Sequence, residues 1–222
     1  MIEDWMNFEM RLHVAQPQPN CTIEQIVRAL ANLAGVRDNY LREHQKQVAE
    51  LAASIARELR LPEAQIDAVY WAALVHDIGK LRIPFEILYK PGKLDETEYR
   101  LIQTHPRCGF EILRPLELVA PIAAIVLQHH ERLNGSGYPQ ALRGDQIRLE
   151  ARILGVADVV EAMACHRPYR PALGIEKALE EITLNREILY DPAAVDACLA
   201  VIREKNFRFE ATFAAKASAG PG

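Results

Sequence analysis

The sequence has no paired-cysteine spacing, no basic field and no long apolar run, and each shortage removes a class of protein. Its four cysteines, Cys21, Cys108, Cys165 and Cys198, stand far apart with no C-x-x-C among them, which fits neither a disulfide scaffold nor a thiolate zinc site. A reducing, cytoplasmic compartment is the expectation. Lysine and arginine number 26 against 30 aspartates and glutamates, a net charge of −4. A protein that grips a nucleic-acid polymer needs clustered cations, so no nucleic acid polymer is expected as a partner, and an anionic ligand must find a local basic site. No stretch approaches the ~18 consecutive apolar residues of a membrane helix. The opening MIEDWMNFEMRLHVAQPQPN is acidic and broken by prolines, unlike a signal peptide. No membrane insertion is expected. Strand-like alternation and internal repeats are also missing.

What is present is helical periodicity. In LREHQKQVAELAASIARELR, Val48, Leu51, Ile55 and Leu59 recur at three- and four-residue steps, as one face of a helix does. Pro62 opens a second helix, PEAQIDAVYWAALVHDIG, and Thr22 is placed to cap an earlier one, IEQIVRALANLA. Further helices are predicted over LDETEYRLIQTHPRCGFEIL, APIAAIVLQHHE, LEARILGVADVVEAMACH, IEKALEEITLN and PAAVDACLAVIRE. Two segments, IPFEILYKPGKLD and NGSGYPQALRGDQ, carry the glycines and prolines of loops. The expected fold class is an all-α bundle. Residues 1–37 are expected as an N-terminal segment with a short helix, 38–207 as the main domain and 208–222 as a flexible tail.

Three predicted helices are almost wholly apolar, yet each delivers metal-competent groups: AVYWAALV leads to His76 and Asp77, PIAAIVLQ to His129 and His130, and ARILGVA to Asp158. An ionised carboxylate in such surroundings is costly unless it is paired or bound to a cation. Taken singly, each group has an ordinary reading: His44 as a surface histidine, His105 as a cap before Pro106, Asp158 as a partner of Arg152. Together, five of the seven histidines, His44, His76, His105, His129 and His130, stand on different segments beside two carboxylates that are hard to place otherwise. Imidazole and carboxylate without thiolate suit iron or manganese, and nickel or zinc as alternatives. Seven ligands exceed one ion and suit two.

HDIGK, then HP, HHERLNGSGYP, ADVVEAM and RPYR, in this order and at these separations, resemble the HD-GYP family of cyclic di-GMP phosphodiesterases, a branch of the HD metallophosphohydrolases. The resemblance spans roughly residues 38 to 200. It implies an HD-domain helical bundle with an added GYP loop and C-terminal helices. It further implies that His44, His76, Asp77 and Asp158 hold one divalent metal and that His105, His129, His130 and Asp77 hold the second, with Asp77 as the bridge. By the same resemblance Lys80 holds or polarises the scissile phosphate, Gly137, Tyr138 and Pro139 form the substrate loop, and Arg167 and Arg170 contact the ligand's phosphates and bases. Where some members carry a glutamate for a third metal this chain has Tyr40, so a binuclear site is expected.

The implied reaction opens cyclic di-GMP to pGpG, and further to GMP, by a hydroxide that bridges the metals. Fixed cations at Lys80, Arg167 and Arg170 would meet the charge on the phosphoryl oxygens. Two other functions stay open: a cyclic-dinucleotide receptor with little turnover, and a phosphodiesterase for a related dinucleotide such as cyclic GMP-AMP. Tyr138 offers a ring on which guanine could stack, or is a loop aromatic packed on Pro139. The resemblance also suggests diguanylate cyclase (GGDEF) domains as partners, and an oligomer is compatible with it.

Overall fold

The computed structural model describes residues 22–37, 39–116, 121–166 and 171–209, and they fold as helices. In chain order these are α1 (Ile23–Arg37), α2 (Asn39–Glu58), α3 (Glu63–Val75), α4 (Phe85–Leu88), α5 (Glu96–Ile102), α6 (His105–Leu113), α7 (Ile122–Gln128), α8 (Leu149–Ala164), α9 (Ile175–Leu184) and α10 (Pro192–Arg203). Short 3₁₀ turns lie at Ile78–Arg82 and Gly144–Gln146. Among the described residues there is no strand, only two isolated bridges, Asn134 with Arg143 and Arg186 with Tyr190. The all-α expectation holds. No helix among these residues is long and apolar enough to cross a membrane.

The centre is built from α2, α3 and α8. Val48, Leu51 and Ile55 on α2 are fully buried, as their spacing predicts, and burying side chains of this size stabilises the fold by about 2 kcal/mol each. Buried alanines run along both α2 (Ala49, Ala52, Ala53, Ala56) and α3 (Ala68, Ala72, Ala73). Small side chains let two helices approach closely, and these two form the most extensive pair in the fold. Helix α3 buries Ile66, Val69, Leu74 and Val75 as well, as expected of a helix that is apolar on most sides. Helices α1 and α7 also pack on α3, and α9 and α10 pack on α8.

Local chemistry sets the helix ends. Thr22 and Gln25 form a reciprocal cap at α1: the Gln25 N–H donates to Thr22 Oγ1 at 3.3 Å and the Thr22 N–H to Gln25 Oε1 at 3.0 Å. Asp191 caps α10 by accepting from the Ala194 N–H at 3.0 Å, and it also receives Arg152 Nη1 at 2.7 Å. The single helix predicted over LDETEYRLIQTHPRCGFEIL is two. Asp95 and Glu98 make a capping box that starts α5, and α6 starts afresh at His105 with Pro106 in its first turn, where the missing proline N–H needs no partner. The loop segment IPFEILYKPGKLD contains the one-turn helix α4. These breaks place His76 and His105 at helix ends rather than inside longer helices.

Candidate metal centre

His76 follows the last residue of α3 and Asp77 begins the 3₁₀ turn. His105 opens α6, His129 closes α7 with His130 next to it, and Asp158 lies within α8 beside His44 of α2. The seven candidate ligands therefore converge from five segments. The ligand atoms of His44, His76 and Asp77 lie within 4.8 Å of one another, and so do those of His105, His129 and His130. Asp158 Oδ1 is 3.4 Å from His44 Nε2 and 3.9 Å from His76 Nε2.

Asp77 stands between the two groups with its oxygens divided. Oδ2 is 3.4 Å from His76 Nε2 and 3.8 Å from His44 Nε2, while Oδ1 is 3.2 Å from His105 Nε2. That oxygen is buried and has no hydrogen-bond partner. The reason lies in the tautomers. Nδ1 of His76 donates to Ala73 O at 2.7 Å, Nδ1 of His105 to Ile102 O at 2.8 Å, and Nδ1 of His129 to Val126 O at 2.6 Å. With Nδ1 committed to a carbonyl, each ring turns its Nε2 toward the centre. His105 Nε2 and His129 Nε2 then face each other at 3.3 Å, two acceptors with no donor between them. Lone pairs and carboxylate oxygens aimed inward in a buried site fit a cation and little else, so these residues suit divalent metal.

Burial sets the charge states. It pushes His105 down to about 4 and holds His129 and His130 well below the usual imidazole range, with neighbouring imidazoles adding to the effect for His129 and His130. His44 is the exception. Burial would lower it too, but the Glu161 and Asp158 carboxylates overcome that and raise it to about 9. Burial disfavours ionised Asp77 and Asp158, yet Lys80 and His76 beside Asp77, and His44 and His76 beside Asp158, keep both well below the usual carboxylate range. Lys80 Nζ sits 2.6 Å from Asp77 Oδ2, one turn away as its spacing predicts.

Two acidic residues join the site that the sequence reading did not single out. Glu161, fully buried on α8, takes Nδ1 of His44 in a short hydrogen bond. A carboxylate behind an imidazole fixes its orientation and makes Nε2 a stronger ligand. Its signal in the sequence was an acid one turn after Asp158 in an apolar helix. Glu131, also buried, accepts the Gln140 N–H at 2.7 Å on Oε1 and the Leu142 N–H at 2.9 Å on Oε2. It thereby clamps the GYP loop from the residue next to His130. The tightness of that seat requires a glycine: a Cβ on Gly137 would lie 2.4 Å from His130 O. At Gly79, a Cβ would meet His105 O at 2.0 Å, so the 3₁₀ turn can press against the start of α6 only without a side chain there.

Tyr138 is mostly buried, its ring centroid 4.8 Å from that of His130, and burial pushes its phenol further up, so it stays protonated. The peptide bond to Pro139 is cis. Tyr40 stacks parallel to His44 at 6.3 Å between centroids. Arg152 pairs with Asp191 and Asp145, not with Asp158. Cys108, Cys165 and Cys198 form no disulfide among the described residues. Arg167 and Arg170, the expected ligand contacts of RPYR, lie outside the described residues.

A family model described as HD domain matches residues 28–194. The chain is 37% identical over 196 residues to the cyclic di-GMP phosphodiesterase response regulator RpfG of Xanthomonas campestris pv. campestris, an alignment that covers 87% of this chain and 52% of that protein. It is 38% identical over 188 residues to the 3'3'-cGAMP-specific phosphodiesterase 3 of Vibrio cholerae, covering 85% of this chain and 40% of that protein. A solved HDG"Y"P protein from Bdellovibrio bacteriovorus shares the fold with a TM-score of 0.62 at 16% identity, over 82% of this chain and 65% of the other. The chain thus spans about half, or less, of the length of these curated relatives. It belongs to the HD domain family, and within that family to the HD-GYP branch.

Proposed function

We infer that this chain is a metal-dependent phosphodiesterase that hydrolyses cyclic di-GMP to pGpG, with GMP as the product of a second cut. The observation that carries the reading is Asp77, whose two oxygens face two separate sets of imidazoles, as a ligand shared by two ions would. On this reading His44, His76, Asp77 and Asp158 hold one ion and Asp77, His105, His129 and His130 the other, with iron or manganese as the metals. Two such ions would supply Lewis acidity to the phosphodiester and acidify the attacking water. The chain's own groups do the rest. The three Nδ1–carbonyl bonds aim the imidazoles, burial keeps His105 and His129 neutral, and Lys80, partly exposed beside Asp77, offers its ammonium to the phosphate. The protonated Tyr138 and the backbone of Gly137 and Pro139 wall the substrate side. Arg167 and Arg170 are assigned to substrate phosphates and bases on the sequence resemblance.

A second reading concerns the substrate: the likeness to 3'3'-cGAMP-specific phosphodiesterases favours testing cyclic GMP-AMP beside cyclic di-GMP. The same reading takes residues 38–207 as the catalytic domain. That span contains all seven ligands and the loop, although the family match begins earlier, within α1. We place the reaction in the cytoplasm, in keeping with Cys108, Cys165 and Cys198 outside any disulfide among the described residues. The exposed loop tip at Asn134, Ser136 and Gln140 is the surface assigned to GGDEF-domain partners. The deciding experiment is anaerobic hydrolysis of both dinucleotides by protein loaded with Fe(II) or Mn(II), with metal content measured on the same samples. Product formation with close to two metals per chain, and loss of both in Asp77→Ala, is the expected result. Tight dinucleotide binding without product under every metal would make the protein a receptor instead.

A further inference from the structure

Helix α2 borders a second cavity on the side away from the metal ligands. Arg42 and Lys46 are each two residues from His44, about 200° around the helix, and they line a cavity of about 220 Å³ between α1, α2 and α3. Arg28 from α1 lines it as well, with Gln45, Asn32 and Tyr70, and no carboxylate is among the lining residues. Arg28 is paired with Glu24 at 2.9 Å and stands over the Trp71 ring, and Lys46 reaches Glu50 at 3.8 Å. Arg42 has no carboxylate partner among the described residues. Its stem lies against Gly35 of α1, where a Cβ would come within 2.9 Å of it, so the glycine makes room for the arginine at the cavity edge. Gln45 is fully buried, and neither its amide nitrogen nor its amide oxygen has a hydrogen-bond partner. A buried amide left unmet is costly, and this one stands where three cations surround an open volume.

We propose that this cavity is a binding site for a small phosphate-bearing anion, distinct from the metal centre. A compact dianion with several acceptor oxygens matches a guanidinium fork, an ammonium and amide N–H donors at once. The volume suits a phosphate monoester group and is below that of typical pockets for larger ligands. Tyr70 and Leu74 supply an apolar wall for whatever the phosphate is attached to. Because Gln45 and His44 are neighbours on α2, an occupant would bear on the same helix that delivers a metal ligand. The site does not depend on the phosphodiesterase reading.

The test is calorimetric titration of the metal-loaded protein with inorganic phosphate at constant ionic strength, beside Arg42→Ala and Gln45→Leu. Arg42 is exposed and Leu is close to the shape of Gln, so both variants keep the fold. A saturable phosphate site that each variant weakens about tenfold or more, the loss of one charge-assisted bond, with metal content and basal hydrolysis unchanged, is the expected outcome. Gln45→Leu should be as stable as wild type or more so without phosphate, because it removes an unmet amide. Absence of saturable binding in the wild type, or phosphate isotherms for Arg42→Ala that overlay it, would overturn the proposal; in the latter case the phosphate sits on the metals.

Discussion

Replacing Glu131 with Gln separates substrate capture from metal binding. The carboxylate meets two backbone donors, Gln140 N–H at 2.7 Å and Leu142 N–H at 2.9 Å, one on each oxygen. A Gln side chain is the same size but offers one oxygen and one NH₂, so it can accept from only one of them and must face the other donor with a donor. Hydrogen bonds to a charged group are worth roughly 1.5–3 kcal/mol each, and the other seats of the loop, Tyr138 N–H on His130 O and the Gly137 contact, remain. About 2 kcal/mol is then withdrawn from the seated loop, which corresponds to a shift of up to about thirtyfold toward displaced states. Steady-state hydrolysis of cyclic di-GMP should show KM raised by up to that factor. The value of kcat and the metal content should stay close to wild type, since no ligand atom moves. Limited proteolysis should cut the loop of the variant faster. A variant with wild-type KM, or one that loses metal while KM is unchanged, would refute the clamp.

Three further outcomes follow from the same geometry. Glu161→Gln keeps an acceptor for His44 Nδ1 but removes the charge that raises His44 to about 9, so chelator competition should show the His44 ion bound about 10–100-fold more weakly and the His105 ion unchanged; equal weakening at both would contradict the assignment. Gly79→Ala would put a Cβ 2.0 Å from His105 O and 2.6 Å from Gly109 N, both backbone atoms, so α6 must retreat; a cost of about 1–3 kcal/mol, a lower Tm and loss of the His105 ion are expected, and wild-type Tm with full metal would show that the turn can yield. For the metal-free protein, His105 titrates near 4 when folded and near 6.5 when unfolded. The unfolded chain therefore takes up the proton first, and stability present above pH 6.5 is lost as pH falls toward 4. That one group accounts for on the order of 3 kcal/mol, and His129 and His130 act in the same direction. Denaturant unfolding at a series of pH values should show this slope, and His105→Gln should flatten it; a slope unchanged by the substitution would assign the acid sensitivity elsewhere.

The helices were legible from periodicity, and His76, Asp77, His129, His130 and Asp158 because each belongs to an apolar run where such a group has few ordinary explanations; His44 and His105 stand in polar segments and joined them only through the set as a whole and the family resemblance. Lys80 beside Asp77 was legible for the same local reason, a three-residue step. The roles of Glu161 and Glu131 were not, because each acts on a partner far away along the chain or on backbone N–H groups that no side-chain pattern marks. The break before His105 was missed because periodicity continues across it, while Thr104, Pro106 and the Asp95 cap decide it locally. The α1–α2–α3 cavity depends on how α1 lies across its neighbours, which the spacing of apolar residues along α1 does not specify.

The back-bonds from Nδ1 to the carbonyl three residues earlier, repeated at His76, His105 and His129, make these three ligand-bearing segments self-contained, whereas His44 depends on Glu161 far along the chain. Four consecutive residues choose the tautomer and point the ring, whatever lies opposite. Evolution or an engineer could therefore vary the surrounding bundle, or transplant one such helix end into another scaffold, and carry a ready-made imidazole donor along with it. The carboxylate between the two sets, the His44, Asp158 and Glu161 group, and the distances among the helix ends would have to be rebuilt.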